Sequence, residues 1–240
     1  MAVIYAAATD GGVRSYGPTV TSWDSVHDNN GGSHSFAVPT AANTVIYGPT
    51  VTFDGTNFNI YRAFFAFDVS GISTAPASAT FNFKSYSYSN GDIIAVKATK
   101  PDTSTNIANG DINELTGFTA GFDNTDLTAY SAKISGETGT ALHSITLNAA
   151  ALSDMASLDT LAICLMNYDH DYLDSAPGSS LGTNQQFGMQ FADSSGTSDD
   201  PYIDYTFGYG NDVLGVASSN ISTVIGVATA NVDKVIGVSD

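Results

Sequence analysis

The sequence predicts an all-β protein, a jelly-roll-type antiparallel β-sandwich with a C-terminal repeat extension. Two observations predict the sandwich: an apolar stretch at residues 58–73 that alternates with period two, and at least nine short strand-like segments separated by turn residues. The third observation is that the end of the chain repeats itself. With 42% hydrophobic residues, 13 Phe and 12 Tyr, the 240-residue chain can fill a large β core.

Residues 58–73 are predicted to contain the central strand of a sheet. Read with period two, one face is an unbroken apolar row made of Tyr61, Ala63, Phe65, Phe67 and Val69. The opposite face is apolar in its middle and charged toward its ends, at Arg62 and Asp68. A strand that is apolar on both faces belongs inside a sheet, with other parts of the chain packed over each side. We expect Arg62 to pair with an aspartate, because a half-buried guanidinium needs a partner.

The remaining elements follow from alternation and turn residues. Before the central strand, strands are predicted at residues 2–8, within 14–23 and at 43–53, with a loop at 28–32. After it, strands are predicted at residues 79–88, 92–98, 158–166, 186–192 and 201–207, and two more are marked by Ile134, Leu142, Ile145 and Leu147. Asn148 predicts the N-cap of the one convincing helix, at residues 149–156.

Four segments occur in a characteristic order: Tyr-Arg-Ala-Phe-Phe-Ala-Phe-Asp-Val-Ser-Gly-Ile at 61–72, Ala-Thr-Phe-Asn-Phe at 79–83, the Leu-Asn pair before the helix, and Gly-Thr-Ser-Asp-Asp-Pro-Tyr-Ile-Asp-Tyr at 196–205. With this order the chain resembles the DNRLRE-type, carbohydrate-module-like sandwiches over roughly residues 2–207. Such modules occur in secreted enzymes and in bacteriophage virion proteins. The resemblance therefore implies a sandwich fold and agrees with a place in a virion.

From Val213 onward the chain repeats with a period of eleven residues. Positions in register across the copies include Leu214, Ile225 and Ile236, then Gly215, Gly226 and Gly237, then Val216, Val227 and Val238. β-branched residues with a glycine in every copy favour short extended segments over a helix. These Gly-Val repeats resemble terminal segments of phage structural proteins.

The repeat is too short to bury its own Val and Ile side chains, so we expect it to lie on its own domain, on identical tails or on a partner. We interpret these nine aligned residues as an assembly anchor; the alternatives are a packed edge and a flexible linker. The predicted organisation is a sandwich at residues 1–207, a linker at 208–212 and an assembly tail at 213–240.

The best cluster of metal-ligating residue types is Asp169, His170, Asp171 and Asp174, whose carboxylates and imidazole suit Ca²⁺ or a transition metal. The alternative is a solvated acidic loop, which we favour because the spacing matches no EF-hand. No cofactor is expected beyond a structural Ca²⁺ ion there. The sequence holds no His-Glu-x-x-His motif and no phosphate-binding loop, and no catalytic residues are assigned.

Aromatic residues Trp23, Tyr168 and Tyr172 are candidates for stacking on sugar rings, with the polar loops at 100–126 and 167–185 as the binding region. Buried core or rim positions are the alternative for these three. Cys164, in an apolar run, is expected to be an inert core thiol. Three histidines are also predicted to be structural: His27 and His34 at the surface, His143 at a strand edge.

The net charge of −17, from 7 basic and 24 acidic residues, disfavours binding to nucleic acid or to an anionic membrane. The first residues lack the basic segment of a signal peptide, and no apolar stretch reaches the ~18 residues of a membrane span. We therefore expect synthesis in a host cytoplasm without a signal peptide, followed by residence in a virion.

Taken together, these features predict a non-enzymatic structural protein of a bacteriophage virion: a decoration, fibre or appendage subunit anchored by its repeat. Its expected partners are other virion proteins of the capsid or tail, further copies of itself, and host surface glycans. One alternative is a carbohydrate-binding module or adhesin. Another is a filament subunit that donates its tail as a strand, and a polysaccharide hydrolase is disfavoured because no acid pair stands out.

Overall fold

The computed structural model describes residues 2–17, 22–28, 33–37, 48–87, 91–119, 121, 125–135, 141–178, 187–192, 198–208, 223–224 and 227–228. The strands are β1 (Ala2–Tyr5), β2 (Gly11–Tyr16), β3 (Ser33–Ala37), β4 (Thr50–Phe53), β5 (Phe58–Asp68), β6 (Ser78–Ser87), β7 (Ile93–Lys97), β8 (Leu142–Thr146), β9 (Thr160–Asn167), β10 (Gly188–Met189), β11 (Tyr202–Thr206), β12 (Thr223–Val224) and β13 (Val227–Ala228). The helices are α1 (Trp23–His27) and α2 (Ala149–Ser157), with a 3-10 turn at Asp111–Asn113 and a π-helical turn at Tyr168–Tyr172.

Two antiparallel sheets pack against each other, which confirms the predicted all-β sandwich. The six-stranded sheet has the order β3-β2-β5-β9-β7, with β4 also paired to β5. The five-stranded sheet has the order β1-β11-β6-β10, with β8 also paired to β6. The shared core lies between them and is rich in phenylalanine.

Strand β5 is the central strand of its sheet, as predicted. It pairs with β2 along one edge and with β9 and β4 along the other. Its inner face carries Phe65 and Phe67, which contact Phe81 of the opposite sheet with ring centroids 5.2 and 5.5 Å apart. Phe65 also stacks on Phe191 at 5.3 Å, so aromatic rings from both sheets interlock in the core.

The other face of β5 is covered by the long segment between β7 and β8. Phe64 packs in one buried cluster with apolar residues of that segment, which are Ile107, Ile112, Leu115 and Leu127. We predicted residues 100–126 to be a binding loop with one helical turn. The turn is present, as a 3-10 turn, and the apolar residues of the segment form a hydrophobic cover for the sheet.

The outer face of the five-stranded sheet is polar, in the alternation expected of a sheet with one wet side. Asn82 lies in its middle, where its Nδ2 donates to Asp204 Oδ2 at 2.8 Å and its Oδ1 accepts from Ser144 Oγ at 2.7 Å. The alternate residues of the same strands, such as Phe81 and Ile203, point into the core.

The helices show one confirmed and one wrong prediction. Asn148 caps α2 as predicted, its Oδ1 accepting from the backbone N–H groups of Ala150 and Ala151. Trp23, however, lies in helix α1 and not in a strand. The helix forms because Ser22 caps it and Asp24 places a negative charge in its first turn, where the helix dipole favours one.

A few other predictions need adjustment. Ile134 forms an isolated bridge with Ile93 of β7 where we predicted a strand. The predicted loop at 28–32 and the first half of the predicted strand at 43–53 lie outside the described residues, apart from Asp28. Within the described part of the chain, no helix is both long and apolar enough to span a bilayer.

Candidate functional site

A compact group of charged side chains lies where β5, α1 and the π-helical turn meet. Arg62 of β5 is at its centre: Nε donates to Asp171 Oδ2 at 2.9 Å and Nη2 donates to Asp171 Oδ1 at 2.7 Å. Nη1 donates to the backbone oxygen of Ile112 at 2.7 Å and to Asn113 Oδ1 at 3.0 Å. The Arg62 and Asp171 side chains are both 0% exposed, so this is a fully buried ion pair.

The electrostatics of this pair follow from its geometry. Burial disfavours the guanidinium charge, but attraction and hydrogen bonding from Asp171 outweigh that effect and raise the pKa of Arg62 above its ordinary value. The pair joins β5 to the π-helical turn and, through Ile112 and Asn113, to the cover over the sheet. The predicted structural pairing of Arg62 with an aspartate is confirmed.

His27 extends the group toward helix α1. Its Nε2 lies 2.7 Å from the backbone oxygen of Asp171, and its Nδ1 lies 2.9 Å from Asp28 Oδ1 and 3.2 Å from Asp174 Oδ1. A carbonyl oxygen and ionised carboxylates can only accept hydrogen bonds. Both ring nitrogens of His27 therefore face acceptor oxygens.

The sequence analysis placed His27 at the surface, and this was wrong, because only 1% of the residue is exposed. The missed signal is local. Trp23, Val26 and His27 have the spacing i, i+3, i+4 that puts side chains on one face of a helix, and all three are buried on that face of α1.

Trp23 forms one wall of the same group. Its ring stacks on His27 with centroids 5.1 Å apart, and it meets Phe58 edge-on at 5.6 Å. Its Nε1 donates to Asp174 Oδ1 at 2.7 Å. At 6% exposure, the indole offers no open face to a sugar ring in this arrangement.

The four candidate metal ligands do not converge on one point. Asp171 is held by Arg62, and Asp174 by Trp23 and His27, while His170 Nδ1 contacts the backbone oxygen of Ser175 at 2.8 Å. Across the described ranges, no group of three or more His, Cys, Asp or Glu side chains is placed to hold a metal ion. The complete burial of Asp171 also contradicts the solvated acidic loop that we favoured for this segment.

The two tyrosines of the predicted glycan site lie side by side. Tyr168 and Tyr172 stack with centroids 5.4 Å apart. Tyr172 is 8% exposed, and burial raises its pKa. Tyr168 is half-buried, and Lys133 Nζ lies 5.2 Å from its ring centroid. Of the three predicted aromatic residues, Tyr168 is the one that reaches the surface.

Cys164 and His143 are both inside the protein. Burial raises the pKa of the Cys164 thiol well above its ordinary value, so the thiol stays protonated, as expected of an inert core cysteine. His143 is in strand β8, and its ring stacks on Phe83. Its Nε2 lies 3.0 Å from Ser85 Oγ, which also bonds both backbone groups of Ala141, so this serine and histidine serve as a structural link.

The tail shows a short hairpin in its second repeat. β12 and β13 pair antiparallel, with Thr223 opposite Ala228 and Val224 opposite Val227. Val227 of the predicted anchor is in β13. The other anchor residues lie outside the described residues; they are Leu214, Gly215, Val216, Ile225, Gly226, Ile236, Gly237 and Val238.

Comparison with known proteins gives no relative for this chain. No family model matches it. The search of curated proteins finds no match either.

Proposed function

We propose that this chain is a non-enzymatic structural subunit of a bacteriophage virion, a decoration, fibre or appendage protein. The β-sandwich is the displayed part, and the C-terminal repeat attaches it to other virion proteins or to further copies of the chain. The place in a virion is supported by the resemblance of the sandwich and the repeat to virion proteins and by the acidic, soluble composition.

The observation that carries the proposal is the β12–β13 hairpin. Its strands have two residues each, and a two-stranded hairpin is marginal in water even when it is longer. The Val-Ile-Gly-Val sequence that spans it recurs in register before and after it, as Val-Leu-Gly-Val and Val-Ile-Gly-Val. Three such units need a surface that shelters their aliphatic side chains, and an assembly partner supplies one.

The buried charged group supports a structural role for the sandwich. Arg62, Asp171 and His27 direct their polar atoms at one another and at nearby backbone groups, with side chains 0% exposed. These contacts hold helix α1 and the π-helical turn against strand β5 of the six-stranded sheet. They also stiffen the part of the molecule that is displayed.

Sedimentation velocity on the full chain tests the anchor. The wild-type chain is expected to associate as its concentration rises, and the variant Val216→Asp/Val227→Asp/Val238→Asp is expected to stay monomeric. The control variant, Ser218→Asp/Thr229→Asp/Ser239→Asp, adds the same charge at polar positions of the repeat and should associate like wild type. Equal behaviour of the two variants would contradict an anchor made by the aliphatic residues.

Glycan binding is a second candidate function, favoured by the half-buried Tyr168 ring at the surface beside Lys133. It is compatible with the role of a structural virion subunit, since an appendage can also bind host glycans. Binding of the full chain to a glycan array should be lost in Tyr168→Ala and kept in Tyr5→Ala, which changes a tyrosine of the other sheet. Retention of binding in Tyr168→Ala would reject this surface.

A further inference from the structure

Among the described strands, β8 pairs with β6 alone, which leaves the other edge of β8 open. It pairs with β6 in a register where Ser85 N–H donates to Ala141 O at 2.9 Å and Leu147 N–H donates to Ala79 O at 3.0 Å. In an antiparallel strand, successive residues direct their backbone N–H and C=O groups to opposite edges. The backbone groups of the odd-numbered residues 141–147 therefore point to β6, and those of the even-numbered residues point to the other edge of β8. The outward residues are Leu142, Ser144 and Thr146, which are exposed, and no hydrogen bond within the described ranges engages their backbone groups.

A cleft of about 280 Å³ lies beside this edge. The described residues that line it are Ile134, Ser135, Leu142, His143 and Ser144. Ile134 bridges to Ile93 of β7 in the other sheet, so the cleft opens between the edges of the two sheets. Leu142 is 58% exposed at its rim. Cavities of ~150 Å³ already admit a benzene-sized apolar guest, so this cleft has room for aliphatic side chains.

We propose that the β8 edge is the acceptor for the Val/Ile-Gly-Val repeat of a second copy of this chain. The repeat pairs with the outward backbone groups of β8, and its aliphatic side chains enter the cleft beside Leu142. This inference rests on the proposed function and identifies the surface to which the anchor binds. It also explains how the hairpin becomes stable, because β8 adds the third strand that a two-stranded hairpin lacks.

The number of repeats favours a second copy over the chain's own tail. Each tail carries the motif three times, and each sandwich has one β8 edge. Docking within one chain leaves two motifs without this acceptor, whereas docking between chains lets one tail join several sandwiches. The Val-Leu-Gly-Val-Ala and Val-Ile-Gly-Val-Ala segments carry no charge, so the net charge of −17 does not repel them directly.

Strand β1 provides a matched control because it is another edge of the same sheet. Val3 of β1 is 46% exposed, close to the exposure of Leu142, and its backbone groups face away from β11 by the same alternation. A lysine on an edge strand opposes strand addition. Leu142→Lys and Val3→Lys place that charge at exposed positions of two edges, and neither removes a hydrogen bond of the sandwich.

The test combines sedimentation velocity and amide hydrogen exchange on the full-length wild type and these two variants. We expect Leu142→Lys to weaken association by at least about tenfold and Val3→Lys to leave it unchanged. Amides of Leu142, Ser144 and Thr146 should gain protection as concentration rises, while the amide of Val3 should not. Thermal unfolding of each variant verifies that both sandwiches remain folded.

Other outcomes separate this inference from the proposed function. If the aspartate variant of the repeat loses association while Leu142→Lys keeps it, the anchor stands and the β8 acceptor is overturned. Protection of the β8 amides in a chain that stays monomeric means that the tail docks on its own sandwich, which overturns docking between copies. A wild-type chain that stays monomeric without protection overturns the acceptor and leaves only other virion proteins as partners of the anchor.

Discussion

Arg62 and Asp171 are 109 residues apart in the sequence and meet through two nearly parallel hydrogen bonds of 2.9 and 2.7 Å, with no exposure of either side chain. Such a pair costs desolvation on both sides, and its net contribution depends on good geometry. Here both N–H groups of Nη1 are used, by the backbone oxygen of Ile112 and by Asn113 Oδ1. The pair thus ties together β5, the π-helical turn and the segment that covers the sheet.

Removal of one partner should be far more damaging than removal of both. We expect Arg62→Met to lower the free energy of unfolding by about 3–5 kcal/mol, because it leaves the Asp171 carboxylate buried without its counter-ion. The double variant Arg62→Met/Asp171→Leu should lose less than Arg62→Met alone, because neither charge is then left buried without a partner. Urea unfolding of the four proteins measures the coupling.

Lys84 and Asp199 provide the control for that experiment. Their ion pair has side chains 35% and 25% exposed, so solvent screens it. Lys84→Met is expected to cost about 0–1 kcal/mol. A coupling energy near zero for the buried pair, or a loss in Lys84→Met as large as that in Arg62→Met, would show that burial does not determine these energies.

Two glycines with the same φ of +93° should respond differently to alanine. At Gly55 an added Cβ meets open space, so Gly55→Ala should cost only the strain of a left-handed backbone, about 1–2 kcal/mol. At Gly117 the Cβ would overlap the backbone oxygen of Asp126, and we expect an additional loss of ~2 kcal/mol. Similar losses from the two substitutions in urea unfolding would contradict the close approach at Gly117.

The cap of helix α2 can be tested in the same way. Asn148→Ala removes the acceptor for two backbone N–H groups, and also the bond from Asn148 Nδ2 to the backbone oxygen of Ala129 at 2.8 Å. We expect a loss of about 1–2 kcal/mol. Asn148→Ser keeps a capping oxygen and should recover part of the lost free energy of unfolding. If it recovers none, the hydrogen bond to the backbone oxygen of Ala129 makes the larger contribution.

Asp102 should govern part of the acid sensitivity. Backbone N–H donation from Ser104, supported by its hydroxyl and by Thr105, lowers the pKa of Asp102 from 3.8 to about 2. A carboxylate with a depressed pKa stabilises the fold fully above its unfolded pKa, and this stabilisation is lost as pH falls through the folded one. Stability should therefore decrease between pH 3.8 and about 2, and less so in Asp102→Asn.

NMR titration of the Asp102 side-chain carboxyl provides the direct check on that prediction. A midpoint near pH 2 is expected, and a midpoint at the ordinary value of 3.8 would show that the turn does not hold the carboxylate as described. The unfolding curves of wild type and Asp102→Asn should differ less as the pH falls toward 2.

The Cys164 thiol should be inert in the folded protein. It is fully buried, and burial raises its pKa, so neither access nor a thiolate is provided at neutral pH. A thiol reagent should label Cys164 in urea but not in buffer. Rapid labelling of the native protein would mean that β9 opens locally.

The sequence predicted elements whose signals are local. Strand β5 was identified as central because it is apolar on both faces, and α2 because Asn148 precedes a short run of helix formers. Both signals depend on a few neighbouring residues. They remained correct because tertiary packing acts in the same direction as the local preference.

Other features depended on contacts between distant residues. The spacing within α1 can indicate that His27 is buried, but no local pattern states that its Nε2 meets the backbone oxygen of Asp171, 144 residues away. The apolar residues of the cover, including Ile107 and Leu127, have no regular spacing, so the sequence suggested a loop. Their burial follows from the shape of the sheet face beneath them.

The most direct test of the account is sedimentation velocity of the intact chain over a wide concentration range, beside the variant with aspartates at Val216, Val227 and Val238. We predict that the intact chain sediments faster as its concentration rises and that the variant sediments as a single chain throughout. If both sediment as single chains at every concentration, the repeat does not join copies of this protein, and the account of it as a self-assembling subunit is contradicted.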